Sequence, residues 1–168
     1  MFRKLNFSLP QKKIVCYNKP MDNNPIKIKD MKYGLQKESE LHQQFNQKFG
    51  LLKRTSHSNP FDYINNQFVI ELKSRRCAIN SHPTMMFNES KLRHACRHLE
   101  NGLRVVFIWS LFDNIWCWEM TKQNSFQLII GTNVRVDRGE YENAKVARIQ
   151  IRYLHLFKSF NTHLKTNI

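Results

Sequence analysis

The chain has little of what marks membrane, secreted or fibrous proteins. Its 168 residues include four scattered cysteines and five glycines, with no Cys-x-x-Cys pair. That pattern argues against a zinc ribbon, a disulfide scaffold or a low-complexity chain, and favours a reducing intracellular compartment. No apolar run reaches the roughly 18 residues that a membrane span needs. These absences leave a globular protein long enough to bury its own core.

Acidic residues are scarce as well. Aspartate and glutamate number 13 against 27 lysines and arginines, so the formal charge is +14. Such an excess favours a nucleic-acid partner, because contacts with phosphates release counterions. An inert basic surface and a packaging or ribosome-associated protein are the alternatives that charge alone leaves open.

Periodicity divides the chain into a lead-in and one domain. Residues 1–33 are polar, basic and interrupted by prolines, so we expect an arm without an apolar signal segment. Residues 34–168 form a single domain. Helices are predicted over 37–49 and 89–101, with a weaker one at 156–164. Strand-like runs cover 61–64, 67–73, 104–112, 115–120, 126–130 and 146–151. The order predicts an α/β protein with a mixed central sheet flanked by helices.

Three charged residues share one face of the predicted hairpin. If Asn65 and Asn66 form a two-residue turn, using the positive φ that asparagine tolerates, Asp62 lies on the face of Glu71 and Lys73. The two carboxylates then lie diagonally, about 7–8 Å apart at the backbone, where they can bind one hard cation. A salt-bridge cluster is the structural alternative. The alternating apolar residues point the other way: Phe68, Ile70 and Leu72.

Helical geometry separates two glutamates. At about 100° per residue, Glu38 falls within the arc of Leu41, Phe45 and Phe49, whereas Glu40 lies on the opposite side. A carboxylate in a core-facing stripe needs a partner, so Glu38 is a fourth candidate for the site. The alternative is that Glu38 lies in the first turn, where acids favour the helix dipole and reach solvent.

The run Asn59-Pro60-Phe61-Asp62, followed after eight residues by Glu71-Leu72-Lys73, resembles the PD-(D/E)XK signature of the restriction-endonuclease-like nuclease superfamily. The predicted order of helix, hairpin, helix and buried strand is similar to the αβββαβ core of that family. The similarity covers about residues 35–120. Phe61 stands between the proline and the aspartate, which departs from the signature. The resemblance implies a hydrolase of DNA phosphodiester bonds that uses Mg²⁺ or Mn²⁺.

The resemblance also assigns roles. Asp62 and Glu71 would bind the metal ion, with the Leu72 carbonyl as a further oxygen ligand. Lys73 would activate the attacking water and stabilise charge at the phosphate, and Glu38 would hold a metal-bound water or a second ion. These roles agree with the preference of Mg²⁺ for oxygen ligands and with the needs of phosphodiester cleavage.

Basic residues near the motif are candidates for contacts with nucleic-acid phosphates. They lie just after the predicted catalytic lysine and on the second helix: Arg75, Arg76, Lys91, Arg93 and Arg97. The resemblance implies an accessory residue near the scissile phosphate at the start of the second helix, for which Lys91 and Ser90 are the candidates. Arg75 and Arg76 can equally form a solvated basic loop.

Other side chains leave alternatives open. His94 and His98 have the spacing of two metal ligands, without a third nearby in sequence. Three tryptophans can stack on bases or pack in the core, and the core is favoured on apolar strands: Trp109, Trp116 and Trp118.

We therefore expect a metal-dependent DNA endonuclease of repair, recombination or junction processing, with nucleic acid as partner and no membrane association. A nucleic-acid-binding protein that keeps the fold without turnover is an alternative. An RNA endonuclease is a third alternative that the resemblance implies, because some members of that family that cut RNA have a histidine on this helix, and His42 lies one turn after Glu38. A homodimer, and the choice between cytoplasm and nucleus, stay open.

Overall fold

The computed structural model describes residues 25–56, 58–135 and 142–162. These ranges contain two α-helices, α1 (Pro25–Phe49) and α2 (Ser90–Glu100). They contain nine β-strands: β1 (Lys53–Arg54), β2 (Tyr63–Ile64), β3 (Phe68–Ser74), β4 (Thr84–Asn88), β5 (Arg104–Ser110), β6 (Ile115–Met120), β7 (Leu128–Arg135), β8 (Glu142–Gln150) and β9 (His155–Leu156). Short 3-10 turns lie at Ile79–Ser81, Ser125–Gln127, Ile151–Tyr153 and Phe157–Ser159.

Two sheets form the framework. The central sheet has the strand order β1-β2-β3-β5-β6-β9, in which β3 and β5 are parallel and the other neighbours antiparallel. The chain between β3 and β5 contains β4 and α2, which is long enough for the crossover that parallel strands need. The second sheet is antiparallel in the order β4-β8-β7. The prediction of an α/β protein with a mixed central sheet is confirmed.

Apolar layers cover both faces of the central sheet. Helix α1 packs Leu41, Phe45 and Phe49 onto the face of β3 that carries Phe68 and Ile70. The other face packs against α2 and the second sheet, in a cluster that includes Val69, Phe87, Ala95, Phe107 and Ile149. The predicted alternation in β3 is confirmed, and β5 is buried on both faces as expected. Trp109 and Trp118 are core residues.

Helix α1 begins far earlier than its apolar periodicity predicts. The lead-in predicted for residues 1–33 is wrong over 25–33, which are helical from Pro25 onward. Proline suits the first helical position, because its φ is preset and its missing N–H has no partner there. Tertiary contacts stabilise this early part of α1, because the Arg76 guanidinium lies 4.4 Å from the Tyr33 ring centroid and 3.3 Å from Asp30 Oδ1. Residues 1–24 lie outside the described ranges.

The hairpin turn lies one residue later than predicted. Tyr63 pairs with Ile70 and Ile64 with Val69, so the turn residues are Asn66 and Gln67. Asn65 Oδ1 accepts hydrogen bonds from the backbone N–H groups of Gln67 and Phe68, at 2.9 and 2.7 Å. This Asx-type turn needs no positive φ, and in the described ranges only glycines have one. The new register brings Asp62 from a diagonal position to one beside Glu71.

The C-terminal prediction also needs correction. In place of a helix over 156–164, the chain forms β9 and a 3-10 turn, and residues 163–164 lie outside the described ranges. Phe157 and Phe160 imitate a helical apolar spacing, but both pack their rings about Phe49. The weak strand signals at 126–130 and 146–151 correspond to the longer β7 and β8. Neither helix in the described ranges has the length and apolar character that a membrane crossing requires.

Candidate functional site

Glu71 is a charged residue in the middle of the central sheet. Its side chain is 0% exposed, and among the acidic and basic side chains of the described ranges it alone is almost completely buried. Lys73 Nζ lies 2.5 Å from Glu71 Oε1, and Lys91 Nζ contacts Glu71 Oε2. Because β3 pairs with neighbours on both sides, the sheet itself fixes where this carboxylate lies.

Two hydrogen bonds hold Asp62 beside Glu71. The Asp62 N–H donates to the Ile70 carbonyl at 3.0 Å, and Asp62 Oδ2 accepts from the Leu72 N–H at 2.7 Å. Both partners are the neighbours of Glu71 in β3. Burial, and secondarily the charge of Glu71, raise the pKa of Asp62 to about 7. The structure thus brings Asp62, Glu71 and Lys73 together.

The start of α2 places Lys91 in the site. Asn88 Oδ1 accepts hydrogen bonds from the Ser90 N–H and hydroxyl at 3.0 and 2.9 Å. These bonds orient the first turn of α2 and engage the Ser90 hydroxyl. Lys91 then reaches Glu71 and also donates to the Pro60 carbonyl. Burial lowers the pKa of the Lys91 ammonium. Lys91, a candidate for an accessory position near the phosphate, thus lies beside the carboxylates.

A cleft of about 510 Å³ opens beside these groups, and Glu38, Arg54, Asp62 and Lys91 are among its lining residues. Glu38 Oε2 accepts a hydrogen bond from Arg54 Nη2 at 2.6 Å. Its carbonyl accepts one from the Tyr63 hydroxyl at 2.7 Å. Arg54 was not expected here, since the two-residue strand β1 is too short to show a pattern.

Glu40 lies outside this cleft. Its carboxylate pairs with Lys37 Nζ at 2.6 Å on the exposed side of α1. The hydrogen bond from Lys37 lowers the pKa of Glu40. As helical geometry predicts, Glu38 and not Glu40 is among the residues that line the cleft with Asp62, and its role there stays a prediction.

The donor set of Asp62 and Glu71 suits a hard cation. Both Glu71 oxygens are buried, and each contacts a lysine ammonium, Oε1 that of Lys73 and Oε2 that of Lys91. Carboxylate oxygens are the ligands that Mg²⁺ prefers. Within the described ranges, no three His, Cys, Asp or Glu side chains are close enough to hold one metal ion. Glu38 therefore lines the same cleft without joining Asp62 and Glu71 as a direct ligand set.

The remaining candidates lie in different places. Arg75 lines a second groove together with Lys73, while Arg76 packs on Tyr33 of α1. Arg93 and Arg97 are exposed on α2. The His98 ring packs edge-on against Phe61 at 5.5 Å, and burial lowers the pKa of His98. Among the described residues His94 and His98 have no third metal-ligating side chain near them.

Comparisons of the chain with models of protein families, with curated proteins and with solved structures found no match. The resemblance to PD-(D/E)XK nucleases therefore depends on the motif, and the functional argument depends on the geometry of the site.

Proposed function

We propose that this protein is a metal-dependent nuclease that hydrolyses phosphodiester bonds in DNA. The observation that carries the proposal is the pair of carboxylates Asp62 and Glu71, held side by side by β3, with Lys73 at 2.5 Å from Glu71. Two acids and a lysine supply what this reaction needs, namely cation ligands and a positive charge for the phosphate. The net charge of +14 favours attraction of nucleic acid.

Each residue has a part in this scheme. Asp62 and Glu71 would hold Mg²⁺ or Mn²⁺, whose chemistry when bound is to polarise the phosphate and lower the pKa of a water. The Leu72 N–H fixes the orientation of Asp62. Lys73 and Lys91 balance the two acids in the metal-free protein, and Lys73 would meet the phosphate. Glu38 stays the candidate for orienting water across the cleft.

A purely structural ion-pair cluster explains this arrangement less well. Charges buried in a sheet contribute little net stability, because their desolvation offsets their attraction, and apolar replacements often do as well. A binding protein without turnover also explains it less well, because contacts with phosphates do not need two acids beside a lysine. A cation held by Asp62 and Glu71 would give these charges a function.

The histidine that suggested an RNA endonuclease has another role. His42 Nε2 lies 3.1 Å from the Leu52 carbonyl, and its ring lies 5.3 Å from that of Tyr63. His42 thus packs where α1 meets the sheet. No observation at the site favours RNA over DNA through this residue.

The test is a cleavage assay on labelled duplex, branched and single-stranded DNA and on RNA, with Mg²⁺, Mn²⁺ or EDTA. A Glu71→Gln variant purified in parallel is the control for contaminating nucleases. We expect the wild-type protein to cut DNA only with a metal ion and the variant not to cut. Cleavage that persists in EDTA or in Glu71→Gln would contradict the proposal. Binding without cleavage of any substrate would support the non-catalytic alternative.

A further inference from the structure

A second groove opens on Lys73, with a volume of about 400 Å³. It lies between the end of β3 and the second sheet, and we call it the donor groove. Strand register places its sheet residues side by side, because Asn88 pairs with Val146 and Asn133 with Ala144. Its polar lining residues are Lys73, Arg75, Asn88 and Asn133, and the apolar residues of β4 and β8 complete it.

The polar groups of the donor groove offer hydrogen bonds to an anion. Lys73 and Arg75 are cations. The Asn88 side-chain oxygen already accepts two hydrogen bonds from Ser90, so the groove-lining amide of Asn88 has N–H groups left to donate. None of the described residues that line this groove is acidic, whereas Glu38 and Asp62 line the other cleft. A surface of donors and cations suits an acceptor such as a phosphate.

Lys73 reaches from the donor groove to the buried carboxylate. Its ammonium pairs with the buried Glu71, and its side chain also lines the donor groove. An anionic chain lying in the groove would therefore pass beside Lys73, whose ammonium contacts the proposed metal ligand Glu71.

We propose that the donor groove binds the backbone of the nucleic-acid strand that is cut at Asp62 and Glu71. The inference rests on the proposed function for its substrate class and adds the path of that substrate across the molecule. Asn133 contributes to backbone binding, although no motif includes it.

Binding of fluorescent DNA in EDTA tests this path without cleavage. Asn133→Asp is nearly isosteric and places a negative charge in the groove. Gln123→Glu is the matched control, because it adds the same charge to an exposed residue beyond β6, at the opposite end of the central sheet from Lys73. We expect Asn133→Asp to weaken affinity about ten-fold and Gln123→Glu by less than about two-fold. Asn133→Lys should strengthen binding, so the test survives if the aspartate variant folds poorly.

The outcomes separate the two proposals. Equal affinities of Asn133→Asp and Gln123→Glu, with no gain in Asn133→Lys, would overturn the groove even if the wild-type protein cuts DNA. Binding that responds to Asn133 in a protein that never cuts would keep the groove and overturn the nuclease. A wild-type protein that neither binds nor cuts nucleic acid would overturn both.

Discussion

The two faces of β3 differ sharply. On one face Phe68, Ile70 and Leu72 pack beneath α1, and the Phe49 and Phe68 ring centroids are 5.0 Å apart. On the other face Val69 joins the core, but Glu71 and Lys73 bring charge into it. Side-chain alternation along this one strand thus separates an apolar face, which packs in the core, from a face that carries the charged residues of the candidate site. Substitutions on the two faces should have separable effects.

The largest effect is expected on the charged face. Lys73→Ala should lower the rate of metal-dependent cleavage by about 10³-fold, ~4 kcal/mol in barrier, because the charge beside Glu71 and the phosphate is lost. DNA affinity should stay within a few-fold, since on the proposed function Lys73 would be one of many cations that contact phosphates. Single-turnover rates and anisotropy titrations measure the two quantities.

The control for Lys73→Ala is Lys122→Ala, which removes an exposed lysine just after β6. Lys122→Ala should leave cleavage unchanged. If Lys73→Ala lost only affinity, and complexes already bound still turned over normally, Lys73 would be a binding residue without a role in the reaction.

On the apolar face, Phe45→Ala should destabilise the protein by about 3–5 kcal/mol, because the ring is fully buried and meets Phe49, Tyr63 and Phe157. Cleavage per folded molecule should change little. Urea unfolding measures the loss, with Phe126→Ala as a control, since Phe126 is 78% exposed. Similar losses in the two variants would contradict the assigned core.

Asp62 should make the metal-free protein less stable as pH rises. Its folded pKa of about 7 lies above the ordinary value of 3.8, so between these values the folded state keeps a proton that the unfolded chain releases. Unfolding free energy should fall by up to about 1.4 kcal/mol per pH unit over this window through Asp62 alone. Asp62→Asn keeps an acceptor for the Leu72 N–H and should remove this contribution. Urea unfolding in EDTA at a series of pH values measures it.

Glu40→Gln is the control for the pH series and should leave the slope above about pH 4.5 nearly unchanged, because the lowered pKa of the exposed Glu40 confines its contribution to lower pH. A wild-type slope that Asp62→Asn does not alter would mean that other groups bind the proton.

The smallest effect distinguishes the two glutamates of α1. Glu38→Gln should reduce metal-dependent cleavage by roughly ten-fold, about 1.4 kcal/mol, because Glu38 lines the cleft with Asp62. Glu40→Gln should have no effect. Paired rates at saturating Mg²⁺ measure the difference, with circular dichroism to verify folding. Loss in Glu40→Gln alone would show that the assigned helix face is wrong.

Side-chain alternation explains why much of the site was predictable. The turn moves by one residue, so each residue of β2 pairs with a residue of β3 two positions later than predicted. Because two is an even number, each side chain stays on its predicted face. Asp62, Glu71 and Lys73 therefore share a side in either register. Glu38 was predictable for a different reason, because its position follows from helical periodicity.

Tertiary contacts determine the features of the structure that the sequence did not predict. The early start of α1 has no apolar periodicity and depends on Arg76 stacking on Tyr33. The contact of Lys91 with Glu71 depends on where α2 crosses the sheet, which no local pattern encodes. Asn133 belongs to the donor groove only because β7 joins the second sheet through β8.

The most direct test of the cation site is the melting temperature of the wild-type protein and of Asp62→Asn, each measured with EDTA and with excess Mg²⁺ or Mn²⁺. A bound ion relieves the repulsion between Asp62 and Glu71 and stabilises the folded state through its binding free energy. We predict a metal-dependent rise in the wild-type protein and none in Asp62→Asn, whose metal-free melting temperature should be no lower than that of the wild type. A rise of equal size in both proteins would place the ion elsewhere, and no rise in either would contradict the proposed metal site.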